Sequence, residues 1–412
     1  MSTVKTKQNI PKGWQRVRLG DFGVTLGGLS GKRKENFGHG KPFIPYMNIF
    51  RNSHVDKGFV NLVEIKQGEK QNRLQFGDYL FTTSSETPNE VGMSSVVNTD
   101  LGEVYLNSFC FIFRPKDKYL DPNFGGYLFR GPLFRKKIAS HAKGSTRFNL
   151  SKRDFLGVEI IFPGSGQEQK KIADILGAAD EEIQKTDEII AATEKLKRGL
   201  MQQLFSRGIG HTKFKKTKVG ELPETWELKK MEDICTVRQG LQIAIENRFK
   251  EPGENRYAYI TIKYLRNLEN PEYIENPSKK VVCSEQDILM TRTGNTGTVI
   301  TGVSGVFHNN FFLIDFDRDL VDKSFLVYYL GSEKIQRMIL ERAGTTTIPD
   351  LNHGDFYTIP FLMPNKKEQE KIAEILFSVD EKVSVNQKLK AKLTFLKKGL
   401  MQDLLSGKKR TI

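Results

Sequence analysis

Apolar positions along the chain fall into two textures that alternate. In two long intervals, one between Pro163 and Pro223 and one from Pro364 to the C-terminus, proline is absent and apolar residues recur at steps of three and four. A proline inside a helix loses a hydrogen bond and clashes with the preceding turn, so a proline-free interval with this spacing predicts a long helix. The first stripe runs through Ile172, Leu176, Ala179 and Ile183 and continues in Ile189, Ala192, Leu196, Leu200 and Leu204. The second runs through Ile372, Leu376, Val379 and Val383, then Leu389, Leu393, Leu396, Leu400 and Leu404. Steps of three and four, with Lys and Glu between, are those of a coiled-coil seam. Residues 11–165 and 221–365 read differently. Short apolar runs such as Asp78–Thr82, Phe109–Phe113, Asp287–Thr291 and Phe311–Ile314 are bounded by Gly and Asn, which predicts strands.

The two helical intervals are copies. Glu168-Gln169, Lys171-Ile172-Ala173, Ile175-Leu176 and Asp180-Glu181 return without a gap as Glu368-Gln369, Lys371-Ile372-Ala373, Ile375-Leu376 and Asp380-Glu381. Gly199-Leu200-Met201-Gln202 likewise returns as Gly399-Leu400-Met401-Gln402. Weaker landmarks make the strand-rich modules duplicates too: Pro11 and Trp14 match Pro223 and Trp226, and Gly144-Ser145-Thr146 matches Gly344-Thr345-Thr346. An internal repeat of this kind governs the reading of everything else.

The expected organisation is a module over 1–165, a helical arm over 166–208, a linker over 209–220, a second module over 221–365, a second arm over 366–406 and a basic tail over 407–412. An arm of some 40 residues reaches about 60 Å, longer than a module of this size requires for its own core. The arms are therefore expected to pair with each other, antiparallel because each is joined to its own module. The competing reading is that each stripe packs on its own module. Predicted seam residues are Ile172, Leu176, Ala179, Ile183, Leu196 and Leu200, with Ile372, Leu376, Val379, Val383, Leu393, Leu396 and Leu400. Asn386 falls near the seam, where an amide would fix register. Gly199 and Gly399 suggest either close approach of two backbones or a helix end before Leu200.

Composition narrows the function classes. A chain of 412 residues with 38% hydrophobic residues and 28 Phe can build more than one core. Apolar runs are too short for a membrane span, residues 1–10 lack the apolar stretch of a signal peptide, and three scattered cysteines suggest neither disulfides nor structural zinc. A cytoplasmic setting follows. The net charge of +15 favours a polyanionic partner, above all DNA. Basic residues cluster in runs, among them Lys32-Arg33-Lys34, Arg135-Lys136-Lys137, Lys152-Arg153, Lys213–Lys218 and Lys408-Lys409-Arg410.

Catalytic motifs are missing. No phosphate-binding Gly-rich loop or dinucleotide fingerprint occurs, and Gly23–Gly31 reads as a turn or a DNA-facing loop. Asn276-Pro277-Ser278-Lys279 lacks the second proline and the aromatic that would hold a flipped base. The six histidines are dispersed and predict no metal, and a Glu64–Lys66 nuclease-like pair is of a kind common by chance.

Trp14 and Trp226 opening the modules, and Glu-Gln-x-Lys-Ile-Ala-x-Ile-Leu opening each arm, closely resemble the specificity subunit of type I restriction-modification systems. The resemblance covers nearly the whole chain. It implies an α/β fold in which two mixed α/β target-recognition domains are joined by two long helices forming an antiparallel coiled coil, with a pseudo-twofold repeat. It also implies that each domain reads half of a bipartite DNA target, that the coiled coil sets the spacer, and that two methyltransferase subunits dock on it. By the same resemblance, S-adenosylmethionine belongs to the methyltransferase partner, ATP and Mg2+ belong to two restriction or motor subunits, and this chain binds no cofactor and catalyses nothing.

Base reading needs Arg for guanine and Asn or Gln for adenine, while Lys, Arg and hydroxyls hold phosphates. The candidates in the first module are Lys32, Arg33, Lys34, Arg51, Asn52, Ser84, Ser85, Asn89, Lys143, Ser145, Thr146, Arg147 and Lys152. In the second they are Arg238, Gln239, Gln242, Arg266, Asn267, Arg292, Thr293, Asn295, Thr296, Thr345 and Thr346. Two other functions fit the sequence: a protein-binding adaptor whose charge is incidental, and a self-contained DNA methyltransferase or nuclease with a degenerate site.

Overall fold

The computed structural model describes residues 10–117, 119–266, 271–344 and 349–411. It divides into two units, Met1–Asp187 with Lys388–Ile412, and Glu188–Gln387. Each unit therefore holds one module, the first half of the helix that follows it and the second half of the other long helix.

In the first unit the two predicted strands join Ser94–Val96 and Gly23–Gly27, the latter read from sequence as a turn or loop, in an antiparallel sheet of order Gly23–Gly27, Cys110–Pro115, Tyr79–Thr82, Ser94–Val96. Side chains alternate across a strand, and here both faces are buried. Tyr79, Phe81, Phe111 and Phe113 face one core, and Leu80, Cys110 and Ile112 face another. The first core carries an aromatic cluster, with Phe81 and Phe155 centroids 4.6 Å apart and Phe129 and Phe134 at 4.9 Å. A smaller mixed sheet of Asn61–Val63, Phe37–Ile44 and Tyr105–Leu106 lies beside it in the order of the chain's hydrogen bonding.

The second unit repeats the plan. Its sheet runs Cys235–Gln239, Phe311–Phe316, Ile288–Thr291, Val299–Ile300. Ile288, Met290, Phe312 and Ile314 face one core, and Leu289, Phe311 and Leu313 the other.

The repeated Glu-Gln pair explains how each long helix is fastened to its module. Helix Gly166–Arg207 begins just after strand Glu159–Pro163, which pairs with Trp14–Arg18. Gln169 is fully buried. Its amide donates to the carbonyls of Tyr119 and Pro163, both at 2.8 Å, and accepts from the Asp121 N–H at 2.7 Å. Helix Lys366–Leu405 does the same in the second unit. Gln369 donates to Leu320 at 3.0 Å and Pro364 at 2.9 Å and accepts from the Asp322 N–H at 2.9 Å. Asp121 and Asp322 are themselves the N-caps of helices Pro122–Leu128 and Lys323–Leu330, so one glutamine ties three segments together.

The preceding glutamates hold the far end of the other helix. In the second unit Glu368 accepts from the Trp226 indole N–H at 3.0 Å, the Ile209 N–H at 3.0 Å and His211 at 2.8 Å. In the first unit Glu168 is gripped by Arg410 through Nε and Nη2. The basic tail is thus partly a structural staple.

Within each unit the two helical segments run antiparallel. In the first, Asp180 pairs with Lys397 and Asp187 with Lys390, one number rising as the other falls. In the second, Lys197 donates to Asp380 at 2.6 Å. Each ion pair is completed by a tyrosine from the module. Tyr127 donates to Asp180 at 2.9 Å and Tyr328 to Asp380 at 2.8 Å, with Lys397 and Lys197 over the respective rings. Burial, and then the adjoining aspartate, pushes both phenols well above the ordinary tyrosine range.

The seam differs from the expected stripe in its middle. Burial selects 172, 176, 179, 183, 186, 190, 193, 197, 200 and 204 in the first helix and the same positions plus 200 in the second. Ile172, Leu176, Ala179, Ile183, Leu200, Ile372, Leu376, Val379, Val383, Leu393 and Leu400 are on it. Leu196 and Leu396 are not, being 56% and 55% exposed. Past Ile183 the seam continues through Thr186, Ile190, Thr193 and Lys197, while Ile189 and Leu196 sit one residue over, about 100° around the helix. Both readings of the stripe hold at different places, because Ile172 and Leu176 also enter the module core beside Trp14.

Asn386 is half-buried on the seam, and its amide donates to the Lys382 carbonyl of its own helix at 2.8 Å. Gly199 and Gly399 lie inside continuous helix, and a side chain added there would meet nothing within 4 Å. Neither close approach nor a helix end accounts for them.

Candidate nucleic-acid interface

Each module presents a turn where the first strand of its main sheet leaves and another chain segment crosses it. In the second module, strand Cys235–Gln239 ends against the turn His308–Phe311. Gly240 donates to the Phe311 carbonyl and Leu241 to the Phe307 carbonyl at 3.0 Å. A Cβ on Gly240 would lie 2.1 Å from the Phe307 oxygen, so only glycine allows this crossing. The first module uses the same construction. Gly28 donates to Cys110, Leu29 to Leu106, and a Cβ on Gly28 would lie 2.0 Å from the Asn107 oxygen. Even the turn's own bonds agree, with Asn107 Oδ1 accepting from the Phe109 N–H and His308 Nδ1 from the Asn310 N–H. The Gly-rich segment 23–31 is therefore a strand followed by a crossing.

Around the first crossing lie several predicted residues. Lys143, Ser145, Thr146, Arg147 and Lys152 are all exposed, and Arg147 stands over the exposed ring of Phe109 at 5.8 Å. Lys143 pairs with Asp154 at 2.8 Å. Thr146 and Arg147 also border an open cavity of about 510 Å³ with Tyr46 and Phe50, whose rings stack. Arg33, Lys34 and Asn89 are exposed as well. Around the second crossing, Gln239 and Gln242 are exposed and Arg238 is half-buried. Arg266 and Asn295 are exposed, and Asn295 has a positive φ of 64°.

Several candidates are buried or already paired. Ser84 and Ser85 border the same cavity as Thr146 and Arg147 but are 5% and 8% exposed, in a ladder with Phe148-Asn149, and the Ser85 hydroxyl donates to Glu90 at 3.1 Å. Thr296 is buried and donates to the carbonyls of Arg292 and Pro349. The Lys32 side chain is 6% exposed and tied to Glu69 at 2.6 Å. Arg292 pairs with Asp350 at 2.8 Å, and Thr293 bridges to the same aspartate. Arg51 and Asn52 line a groove of about 1310 Å³ against the helices with His54, Tyr127, Asp180 and Lys397. His54 meets Tyr127 edge-on, and burial lowers its pKa. Asn267, Thr345 and Thr346 lie outside the described residues.

The basic runs are partly structural for the same reason. Arg135 is pushed down to about 10 by burial and donates to the carbonyls of Asn89, Val91 and Gly92. Glu64, from the nuclease-like pair, accepts from Asn36. Among the described residues no cluster of His, Cys, Asp and Glu could hold a metal ion, and no helix is long and apolar enough to cross a membrane.

Sequence reasoning missed Phe109, Asn309 and Asn310. Phe109 opens an apolar run that reads as strand interior, yet it is 56% exposed. Asn309-Asn310 reads as an ordinary turn. The available signal was the alignment of Ser108-Phe109 with Asn309-Asn310, just before Cys110 and Phe311.

The sequence profile of the type I restriction modification DNA specificity domain matches residues 11–194 and again residues 223–394. The chain belongs to this family. As a specificity subunit it carries two target-recognition domains, one per unit. It is 25% identical over 427 residues to the type I restriction enzyme MjaVIII specificity subunit of Methanocaldococcus jannaschii, covering 97% of this chain and 94% of that one. To the putative MjaX specificity subunit of the same organism it is 27% identical, covering 97% and 95%. A chain from a solved type I R-M system matches with a TM-score of 0.65 at 16% identity, covering 97% of this chain and 99% of that one. The S subunit from M. genitalium gives 0.57 at 16% identity, covering 97% and 98%. These structures support the fold of the specificity subunit described above.

Proposed function

We propose that each target-recognition domain reads one half of a bipartite duplex target and that the paired helices set the gap between the halves. The observation that carries this is the pair of crossings, matched in backbone hydrogen bonds and different in the side chains they present. A basic chain of net charge +15 supplies the phosphate attraction that positions such a reader.

Assembly rests on the helices. Ile189 and Leu196, with their repeats Leu389 and Leu396, are apolar, off the seam and 44–56% exposed. They offer two equivalent docking stripes, one for each of two methyltransferase subunits, with two motor subunits joining that core. In this reading the chain itself performs no chemistry and works in the cytoplasm. The methyltransferase brings S-adenosylmethionine, and the motor brings ATP and Mg2+.

Selection of bound DNA from a random duplex pool, with the chain assembled with its methyltransferase subunit, tests the reading. Two enriched half-sites separated by a fixed non-specific gap are expected. Salt-sensitive binding without an enriched sequence would reduce the protein to a basic adaptor.

A further inference from the structure

The tip of the second module carries side-chain amides at Gln239, Gln242 and Asn309, where the matching positions of the first are glycine and serine. Gln239 Nε2 donates to the Asn309 carbonyl at 3.3 Å, and Asn309 Nδ2 donates to Gln242 Oε1 at 3.2 Å. Both bonds are at or past the long end of the normal range. Two buried atoms at this tip, Asn309 Oδ1 and Arg238 Nε, have no hydrogen-bond partner. Unpartnered buried polar atoms are rare in native folds, and here one lies in the turn and one in the strand that ends against it. At the matching positions the first module has Gly27, Ser30 and Ser108, with Phe109 under Arg147.

We propose that this amide tip is the base-reading head of the second domain, and that Gln239, exposed on it and backed by Asn309, selects adenine in its half-site. The proposal rests on the recognition role given above and names the residues that perform it. A carboxamide presents a donor and an acceptor side by side, which matches N7 and N6 of adenine in the major groove and no other base edge there. The long internal bonds hold the amides roughly in place and are exchanged for bonds to the base at small loss. The shared glycine crossing fixes the backbone, so the side chains at the tip vary without disturbing the sheet. In the first domain a ring with a guanidinium over it stands at the turn, and the nearby amides of Gln71 and Asn72 are tied to the backbone of Ser30 and Gly27, so it reads a different half-site.

The test uses the full-length chain assembled with its methyltransferase subunit and selection from a random duplex pool. Wild type, Gln239→Ala and Gln239→Glu are compared, and Gln239 is exposed, so neither change disturbs a core. Gln239→Ala is expected to weaken discrimination at one adenine of one half-site by about 5- to 150-fold, the worth of a bidentate pair. The other half-site stays unchanged and reports that the protein is folded. Gln239→Glu is expected to move the same position from adenine towards cytosine, whose N4 amine a carboxylate accepts. The proposal is overturned if both variants select the wild-type half-sites with wild-type discrimination, or if the change appears equally in both half-sites. A wild-type protein that selects no split sequence would instead remove the recognition role on which the proposal stands.

Discussion

Gln369 shows why single residues of the arm motif persist in both copies. Its side chain satisfies two carbonyls and one N–H from two segments besides its own helix, Leu320–Asp322 and the strand end at Pro364. Leaving buried backbone groups unpaired costs about 1–3 kcal/mol each. Gln369→Ala should therefore lower the thermal midpoint and the denaturant midpoint of the purified chain, and an unchanged midpoint would show that water replaces the amide. In the sequence this pair reads as part of a helix start. Its fastening role was illegible because its partners lie about 50 residues earlier, at Tyr119, Asp121, Leu320 and Asp322. Thr296 was illegible in a similar way: it has the chemistry of a phosphate contact, but the carbonyls of Arg292 and Pro349 claim its hydroxyl first.

Buried tyrosines give a second prediction at this scale. Tyr79, Tyr127, Tyr328 and Tyr329 all have phenols raised by burial. With a folded pKa above the unfolded value of about 10, the native state binds more protons than the unfolded state as pH rises past 10. Stability from these groups is complete below that pH and falls as pH climbs towards the folded values. Absorbance of ionised tyrosine should then lag in the native protein and appear with unfolding. Full ionisation of all 12 tyrosines near pH 10 with the fold intact would contradict the burial described.

At the level of the helices, the proline-free intervals and the repeat gave the arms and their antiparallel direction. The middle of the seam was illegible because polar residues occupy it while apolar ones sit beside it. Ion pairs Asp180–Lys397 and Asp380–Lys197 fix the register that an apolar stripe alone leaves ambiguous, and each is closed by a module tyrosine. The apolar residues displaced from the seam are then free for partners. Leu196→Asp combined with Leu396→Asp should leave the melting temperature of the chain within a few degrees of wild type, since exposed substitutions change stability by only about 0.5 kcal/mol. The same pair should abolish co-purification with the methyltransferase subunit. Intact assembly would place the docking surface elsewhere. By contrast Leu376→Ala, in a fully buried position, should cost about 2–5 kcal/mol.

For the whole molecule, duplication is the organising fact. Two modules keep one backbone plan, two glycine crossings and two glutamine fastenings, and differ at the tips. The two-module, two-arm layout was legible because the arms diverged so little. The equivalence of Phe109 with Asn310 was not, since the modules share too few residues to align without their backbone bonds. The central claim is that the helices act as a ruler between two independent readers. Inserting one heptad after Asp187 and one after Gln387 keeps the seam in phase and lengthens each helix by about 10 Å. Target selection with the lengthened chain and its methyltransferase subunit is the most direct test. The account predicts the same two half-sites separated by a gap about three base pairs longer, at roughly 3.4 Å per pair. An unchanged gap, or altered half-sites, would contradict it.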